Sequence, residues 1–178
     1  MKEYIKELSK KDDEFQQIIK PLISNSTVQE MKKYKQHYET SCFEHCYCAA
    51  YYCYLVCKKY HLDYKSATRA AMLHDLFLYD WRVRQPDRKG LHAFTHGQTA
   101  CKNACKLFDL NEKEKDIIIK HMWPVTIEFP KSIEGFILTF VDKYCALSES
   151  FDILKSRLFM KKAIRYTYAL MSLLIIKF

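Results

Sequence analysis

The stretch Ala70-Ala71-Met72-Leu73-His74-Asp75-Leu76-Phe77-Leu78 sets a histidine–aspartate pair inside an apolar run. Apolar neighbours predict burial, and an aspartate is almost never fully buried without a partner. An unpaired buried carboxylate is so costly that it meets a cation or takes up a proton. Positions 71, 72, 78 and 79, one helical turn away, are Ala, Met, Leu and Tyr. The adjacent imidazole therefore favours a metal ion, and the alternative is a pair satisfied by hydrogen bonds in a helical core.

Length and composition predict a single all-α domain that covers residues 1–178. The chain has 178 residues, 49 % of them hydrophobic, and only 3 Gly and 4 Pro interrupt it. This mixture is typical of a compact helical globule. The formal charge is +8, but the basic residues are scattered rather than forming one dense block. We therefore expect a solvated basic surface that favours a polyanionic small ligand, and we do not expect nucleic acid as a partner.

Eight cysteines occur without any CxxC pair, and the N-terminus shows no apolar signal-peptide region. These features predict a cytoplasmic protein with reduced thiols. The spacing of 4, 7 and 4 residues puts four of the cysteines on one helix face: Cys42, Cys46, Cys53 and Cys57. Free cysteine behaves as a small hydrophobic residue, so we interpret these positions as helix packing.

Helix signals cover the first half of the chain. Apolar spacing predicts a helix over 1–24 that ends near Pro21, and Thr27 with Glu30 predicts a capping box for a short helix to about residue 36. Ser41 with Glu44 predicts a second capping box, for a helix over about 42–60. Ser66 is the expected N-cap of the next helix, which carries the His-Asp pair near its end. Residues 79–91 are polar, basic and broken by Pro and Gly, and predict a loop.

Further helices follow this loop. Thr95 with Gln98 predicts a helix over about 96–108 that begins with His96, and Asn111 with Glu114 predicts one that stops by Pro124. A helix beginning at Ser132 carries apolar residues at 133, 136, 137, 140, 141 and 144, which predict a buried stripe. Residues 151–178 predict one or two more helices. The apolar stretch 169–178 is too short to span a membrane, and we expect it to dock on the core or on a second subunit, as in a homodimer.

Six potential ligands are distributed over five of these helices, each at a helix end or against an apolar stripe: His45, His74, Asp75, His96, His121 and Asp142. Imidazoles and carboxylates together form a ligand set for Fe, Mn, Zn or Co. Helical bundles build such sites in their cores from side chains on facing helices.

The order of these residues resembles the signature of the HD-domain metal-dependent phosphohydrolases. His45, His74-Asp75 and Asp142 are similar to the family's core motif. His96, followed by Gly97, and His121 resemble the extended ligand set of members that hold two metals, such as the HD-GYP and bacterial diadenosine-tetraphosphatase subgroups. The resemblance covers about residues 40–148.

This resemblance implies an HD-domain helical bundle with two divalent ions, of Fe, Mn, Co, Ni or Zn. It implies that Asp75 bridges the ions, that His45, His74 and Asp142 hold one, and that His96 and His121 hold the other. In an alternative arrangement, the last two histidines bind substrate beside a single ion.

The implied activity is hydrolysis of a phosphate ester of a nucleotide or another small metabolite by metal-activated hydroxide. Many family members place a lysine where this chain has Leu78, so the positive charge must come from other residues. Our candidates are Lys143 for catalysis and Arg82, Arg84 and Lys89 for substrate binding. Two alternatives remain open: an HD-type di-iron oxygenase, and a non-catalytic module that binds nucleotide or nucleic acid.

Overall fold

The structure, a computed structural model, describes residues 2–37, 40–83 and 90–151 and is mostly helical, as predicted. Its helices are α1 Lys2–Lys10, α2 Asp13–Ile23, α3 Ser26–Gln29, α4 Cys42–Lys59, α5 Tyr64–Leu73, α6 His92–Leu107, α7 Glu112–Lys120 and α8, of which 133–151 is described. A 3₁₀ turn, Glu30–Lys33, leads into an antiparallel hairpin of β1 Lys35–His37 and β2 Thr40–Ser41. The sequence patterns did not predict this hairpin.

Helix α4 lies at the centre and packs most extensively on α5. The predicted capping box at its start is confirmed, because Ser41 and Glu44 each accept from the other's backbone N–H. Fully buried alanines on both helices, Ala49 and Ala50 on α4 and Ala67 and Ala70 on α5, let the two backbones approach closely. Helix α5 in turn packs on α7, which packs on α6.

The predicted first helix is instead two helices. The break falls at residues 11–12, because the Asp12 side chain accepts a hydrogen bond from the backbone N–H of Phe15 and starts α2. Pro21 lies inside α2 rather than ending it. The predicted capping box at Thr27 is wrong, since the side chain of Asn25 caps α3.

Two other helix starts also differ from prediction. Asp63, not Ser66, caps α5, and its carboxylate accepts from the backbone N–H of Ser66. Helix α6 begins at His92, so the Thr95 capping box is wrong and His96 is the fifth helical residue. Thr95 instead donates its hydroxyl proton to the Leu91 carbonyl within the first turn.

The predicted stripe on α8 is only partly buried: Ile137 and Val141 are half-buried against the core, and the rest of the stripe turns away from it. Ile133 and Phe140 are 62 % and 63 % exposed, and Tyr144 is also exposed. The buried face carries Glu134, Asp142 and Glu149, along with Leu138 and Cys145. Each of the three carboxylates has a cationic or imidazole partner on another helix, and these pairings decide which face turns inward.

No helix among the described residues is long and apolar enough to cross a membrane. Seven of the eight cysteines are buried, Cys105 is exposed, and none of the eight forms a disulfide. The predictions for residues 152–178, and for Arg84 and Lys89, lie outside the described residues.

Phe15 is the best test of the packing between α2 and α4. It is fully buried, with ring centroids 4.9 Å from Tyr51 and 5.5 Å from Tyr54. We expect Phe15→Ala to lower the free energy of unfolding by about 3–5 kcal/mol, because it removes a ring and leaves a cavity. Chemical denaturation measures the change. Phe129→Ala, at a position 62 % exposed, is the matched control and should change stability by less than about 1 kcal/mol.

Candidate metal centre

The potential ligands of α4, α5, α6, α7 and α8 come together around Asp75, which lies just beyond the end of α5. Two groups of ligand atoms share this carboxylate, and in each group the atoms lie within 4.8 Å of one another: His45, His74 and Asp75 form one, and Asp75, His96 and His121 form the other. Every member is buried. The structure thus brings together the residues that the sequence had placed on separate helices, in groups that could hold a metal ion.

The first group lies between α4, α5 and α8. Oδ1 of Asp142 is 2.9 Å from Nε2 of His45 and 3.6 Å from Nε2 of His74. Nε2 of His74 is also 3.4 Å from Oδ2 of Asp75. Two carboxylates and two imidazoles therefore face one another here.

The second group lies where α6 meets α7. Nε2 of His96 and Nε2 of His121 are 2.9 Å apart, and they lie 3.3 Å and 3.7 Å from Oδ1 of Asp75. Ligand atoms that share one ion at about 2.0–2.1 Å lie about 2.9–3.4 Å apart for angles between a right angle and tetrahedral. Two of the three separations lie in this range, and the third, 3.7 Å between His121 and Asp75, needs only a small movement of either side chain to admit a shared ion.

Gly97 brings these two histidines together. A Cβ at this position would lie 2.8 Å from the carbonyl oxygen of Ile119 and 3.0 Å from that of Ile118. Real side chains do not tolerate such a contact with a backbone oxygen, so only glycine allows α6 to pack this closely on α7.

Backbone carbonyls fix which nitrogen of each ring faces the centre. His74 and His121 follow the last residues of α5 and α7, and their Nδ1 atoms lie 2.7 Å and 2.8 Å from the carbonyl oxygens of Ala71 and Ile118. These carbonyls lie in the last turns, where helices leave acceptors unsatisfied. A carbonyl only accepts, so Nδ1 donates and Nε2 is the nitrogen that faces the centre.

His96 is held in the same way, since its Nδ1 lies 2.8 Å from the carbonyl oxygen of His92. Consequently His96 and His121, if both neutral, direct two lone pairs at each other across 2.9 Å. Such a contact requires a proton or another cation between the nitrogens. Donation of the second ring nitrogen to a backbone oxygen is also the usual outer support of metal-binding histidines.

Glu149 supports His45 from the other side, and the sequence reasoning missed it. Its Oε1 lies 3.3 Å from Nδ1 of His45, while Nε2 of the same ring faces Asp142. Glu149 is 2 % exposed. The sequence did contain a signal for Glu149, because it follows Asp142 by seven residues and therefore lies on the same face of α8.

The charges of the group determine its protonation. Burial alone would raise the pKa of the Asp75 carboxyl, but His74 and His96 lower it far below its usual value. Asp142 is likewise ionised, because the hydrogen bond from His45 and the nearby imidazole of His74 outweigh burial and hold its pKa low. Burial and the nearby charges of His74 and His96 lower the pKa of His121 to about 3, so this ring stays neutral.

The pKa of His96 is raised instead, because the contact with the negatively charged Asp75 carboxylate outweighs burial. His96 is therefore the ring that carries the proton shared with His121. Two polar atoms of the centre, Nε2 of His74 and Oδ1 of Asp75, are buried without a hydrogen-bond partner among the described residues. An ion in the first group would satisfy Nε2 of His74 and one in the second group would satisfy Oδ1 of Asp75, so the residues present fit divalent metal.

Two cysteines lie directly behind the centre. The Cys42 thiol donates to the backbone oxygen of Asp75 at 3.1 Å, and Cys46 Sγ is 3.6 Å from Nδ1 of His74. With Asp75 they form a third group of potential ligands. Burial raises the pKa of both thiols, which keeps them protonated and makes them poor ligands. They support the His-Asp pair rather than only filling space.

Of the basic residues predicted to act on the substrate, one lies beside the centre and one lies on the surface. Lys143 is half-buried beside the centre, with Nζ 3.4 Å from the carbonyl oxygen of His121, and burial lowers its pKa. Arg82 forms an exposed ion pair with Asp80, with Nη2 2.8 Å from Oδ2. The sequence reasoning also missed His92, whose ring stacks on His96 at 4.4 Å between centroids.

Comparison of the sequence with protein-family models and with curated proteins, and of the fold with solved structures, finds no match. The assignment of a function therefore rests on the geometry of the centre.

Metal binding is expected to release protons, because an ion at His96 and His121 displaces the proton that lies between them. The raised pKa of His96 sets the direction: affinity for Zn²⁺ or Mn²⁺ should increase with pH until this ring is neutral in the metal-free protein. Isothermal titration in buffers of different ionisation enthalpy measures the protons released. Binding with no proton release would contradict the protonation assigned to this pair.

We expect Gly97→Ala to reduce the number of divalent ions bound per chain, because the added methyl group pushes His96 away from His121. A displacement of about 0.5 Å is enough to disturb a ligand set. Elemental analysis after dialysis gives the stoichiometry. Gly135→Ala is the matched control, because its Cβ would lie 2.6 Å from the side chain of Pro130, away from the histidines. Equal metal loss in both variants would mean that the close contact at Gly97 has no special role.

Proposed function

We propose that this chain is a metal-dependent phosphohydrolase of the HD-domain type, which holds two divalent ions and hydrolyses a small phosphate ester such as a nucleotide. The observation that carries the proposal is the division of Asp75 between two ligand groups. Its Oδ2 lies 3.4 Å from Nε2 of His74, and its Oδ1 lies 3.3 Å from Nε2 of His96. A carboxylate arranged in this way can serve one ion with each oxygen.

In this proposal His45, His74 and Asp142 hold one ion, and His96 and His121 hold the other. Divalent ions held there would neutralise charge on phosphoryl oxygens and would lower the pKa of bound water. The protein's own contribution is rigidity, since a backbone carbonyl or Glu149 orients each imidazole through its other nitrogen. Fixed ligands of this kind need no reorganisation during the reaction.

The exposed fractions of the ligand side chains indicate from which side a substrate would approach the centre. The Asp142 side chain is 12 % exposed, whereas that of every other proposed ligand is at most 4 % exposed. Access therefore runs past Asp142, next to Lys143. A half-buried ammonium at this opening would attract a phosphate and stabilise charge on it, a role that Leu78 cannot supply. Arg82, on the loop that follows the His-Asp pair, is the second candidate for contact with the substrate.

An oxygenase with two iron ions is the second candidate, and the observation that favours it is Leu78. Without a lysine at this position, the centre lacks a cation that phosphohydrolases of this type commonly use. The same imidazole and carboxylate ligands suit iron. Oxygen uptake by Fe²⁺-loaded protein distinguishes this reaction from phosphate release.

The test of the main proposal loads the protein with Mn²⁺, Fe²⁺, Co²⁺, Ni²⁺ or Zn²⁺ and measures phosphate release from nucleotides and dinucleoside polyphosphates. We expect Asp75→Ala to lower both bound metal and kcat/KM, the latter by about 10³-fold, since several kcal/mol of transition-state stabilisation is lost. The control is Asp109→Ala, at an exposed aspartate. Wild-type protein that holds metal but releases no phosphate from any of these esters would reject the hydrolase proposal.

A further inference from the structure

A buried glutamine on the hairpin contacts the aspartate at the centre. Gln36 belongs to β1, is 9 % exposed, and donates a hydrogen bond from Nε2 to Oδ2 of Asp75. No sequence pattern drew attention to it, because it lies 39 positions before its partner.

The orientation of this carboxamide follows from its partner. An ionised carboxylate only accepts hydrogen bonds, so the nitrogen of the amide has to face Asp75. The oxygen Oε1 is then fixed as an acceptor, and it is buried without a hydrogen-bond partner among residues 2–37, 40–83 and 90–151. A buried acceptor left unsatisfied costs about 1–3 kcal/mol.

The unsatisfied oxygen does not stand alone. Oδ1 of Asp75 and Nε2 of His74 are also buried without a hydrogen-bond partner in the described part of the chain. The three atoms belong to a connected series of side chains, from Gln36 through Asp75 to its neighbour His74. Buried polar groups in native proteins are normally satisfied, so three such atoms in one series are the positions where ions or water in the centre would bind.

The hairpin holds Gln36 firmly. Trp81 donates from Nε1 to the carbonyl oxygen of Lys35 at 3.2 Å, and the backbone N–H of Cys42 donates to the carbonyl oxygen of Tyr34 at 2.8 Å. These bonds tie the strand both to the loop after Asp75 and to the start of α4. A residue supported on both sides can hold its amide in one orientation.

We infer that Gln36 is a positioning residue of the metal centre, whose Nε2 fixes the rotation of the Asp75 carboxylate and whose Oε1 accepts a hydrogen bond from a water inside the centre. Rotation matters because Oδ2 faces His74 and Oδ1 faces His96. A carboxylate free to turn would no longer divide its oxygens between the two groups. The inference rests on the proposed function only in requiring that the centre bind divalent metal.

A purely structural role is a poor explanation of this side chain. A methionine of similar length would fill the same space without an unsatisfied acceptor, and would avoid the desolvation of an amide. The glutamine is costly unless a group in the centre uses its oxygen.

The test replaces Gln36 with Met, which keeps the length of the side chain and removes both the donor and the acceptor. Competition with a chelator measures Zn²⁺ affinity, and visible absorption of the Co²⁺-loaded protein reports ligand geometry. We expect 10–100-fold weaker affinity, the usual effect of losing a group that orients a ligand, and a changed Co²⁺ spectrum. Gln36→Asn, whose amide is too short to reach Asp75, should give the same result if the Met variant does not fold.

The matched control is Gln16→Met. Gln16 is another hydrogen-bonded glutamine, whose Nε2 donates to the carbonyl oxygen of Ser9 at 2.8 Å and to the Tyr47 hydroxyl at 3.1 Å, away from the centre. This control should lose stability and keep the wild-type metal affinity and spectrum. A Gln36→Met protein whose affinity lies within twofold of wild type, with an unchanged spectrum, would overturn the inference.

The outcome separates this inference from the proposed function. Wild-type protein that binds no divalent ion overturns both. Metal binding that weakens in Gln36→Met, combined with no phosphate release by the wild type, supports the positioning role and rejects the hydrolase reaction.

Discussion

The carboxylate of Asp75 is the constraint on which the rest of the structure depends. It is 1 % exposed, ionised, and surrounded by His74, His96, His121 and the amide of Gln36. An isolated charge in such a place would cost far more than the stability of a domain. The hairpin, the end of α5 and the junction of α6 with α7 therefore have to meet at this one side chain, and their positions follow from it.

The same constraint explains the orientation of α8. Leaving a large apolar side chain in water forfeits about 1.5–3 kcal/mol, and α8 exposes several of them. Turning the helix round would bury those side chains but would separate Asp142 and Glu149 from His45 and Glu134 from Lys113. Separating buried imidazoles from their carboxylates would destabilise the fold by more free energy than burial of the apolar side chains would add. The partial exposure of the apolar stripe is thus a consequence of assembling the centre.

The C-terminal ends of α5 and α7 also orient two histidines of the centre. The last carbonyls of α5 and α7 accept from the Nδ1 atoms of His74 and His121, which satisfies the helix termini and sets the tautomer of each ring. The apolar packing around α4 and the chemistry of the centre are therefore not separate parts of the molecule. A shift of either helix would disturb both.

Much of this arrangement was readable from the sequence, because its signals are local. The capping boxes at Ser41 and Asn111 are confirmed, since such hydrogen bonds form within four residues of chain. Burial of the His-Asp pair followed from its apolar neighbours, and the spacing of the histidines placed them on separate helices that a bundle brings together.

The tertiary structure alone decided which face of α8 turns inward, that Gln36 and Glu149 join the centre, and that Gly97 sets the distance between His96 and His121. Each of these depends on a partner that lies 21 or more positions away in the chain. Periodicity shows that a helix has an apolar face, but the pairing energies of distant charges determine whether that face is buried. For this protein those pairings outweighed the apolar pattern.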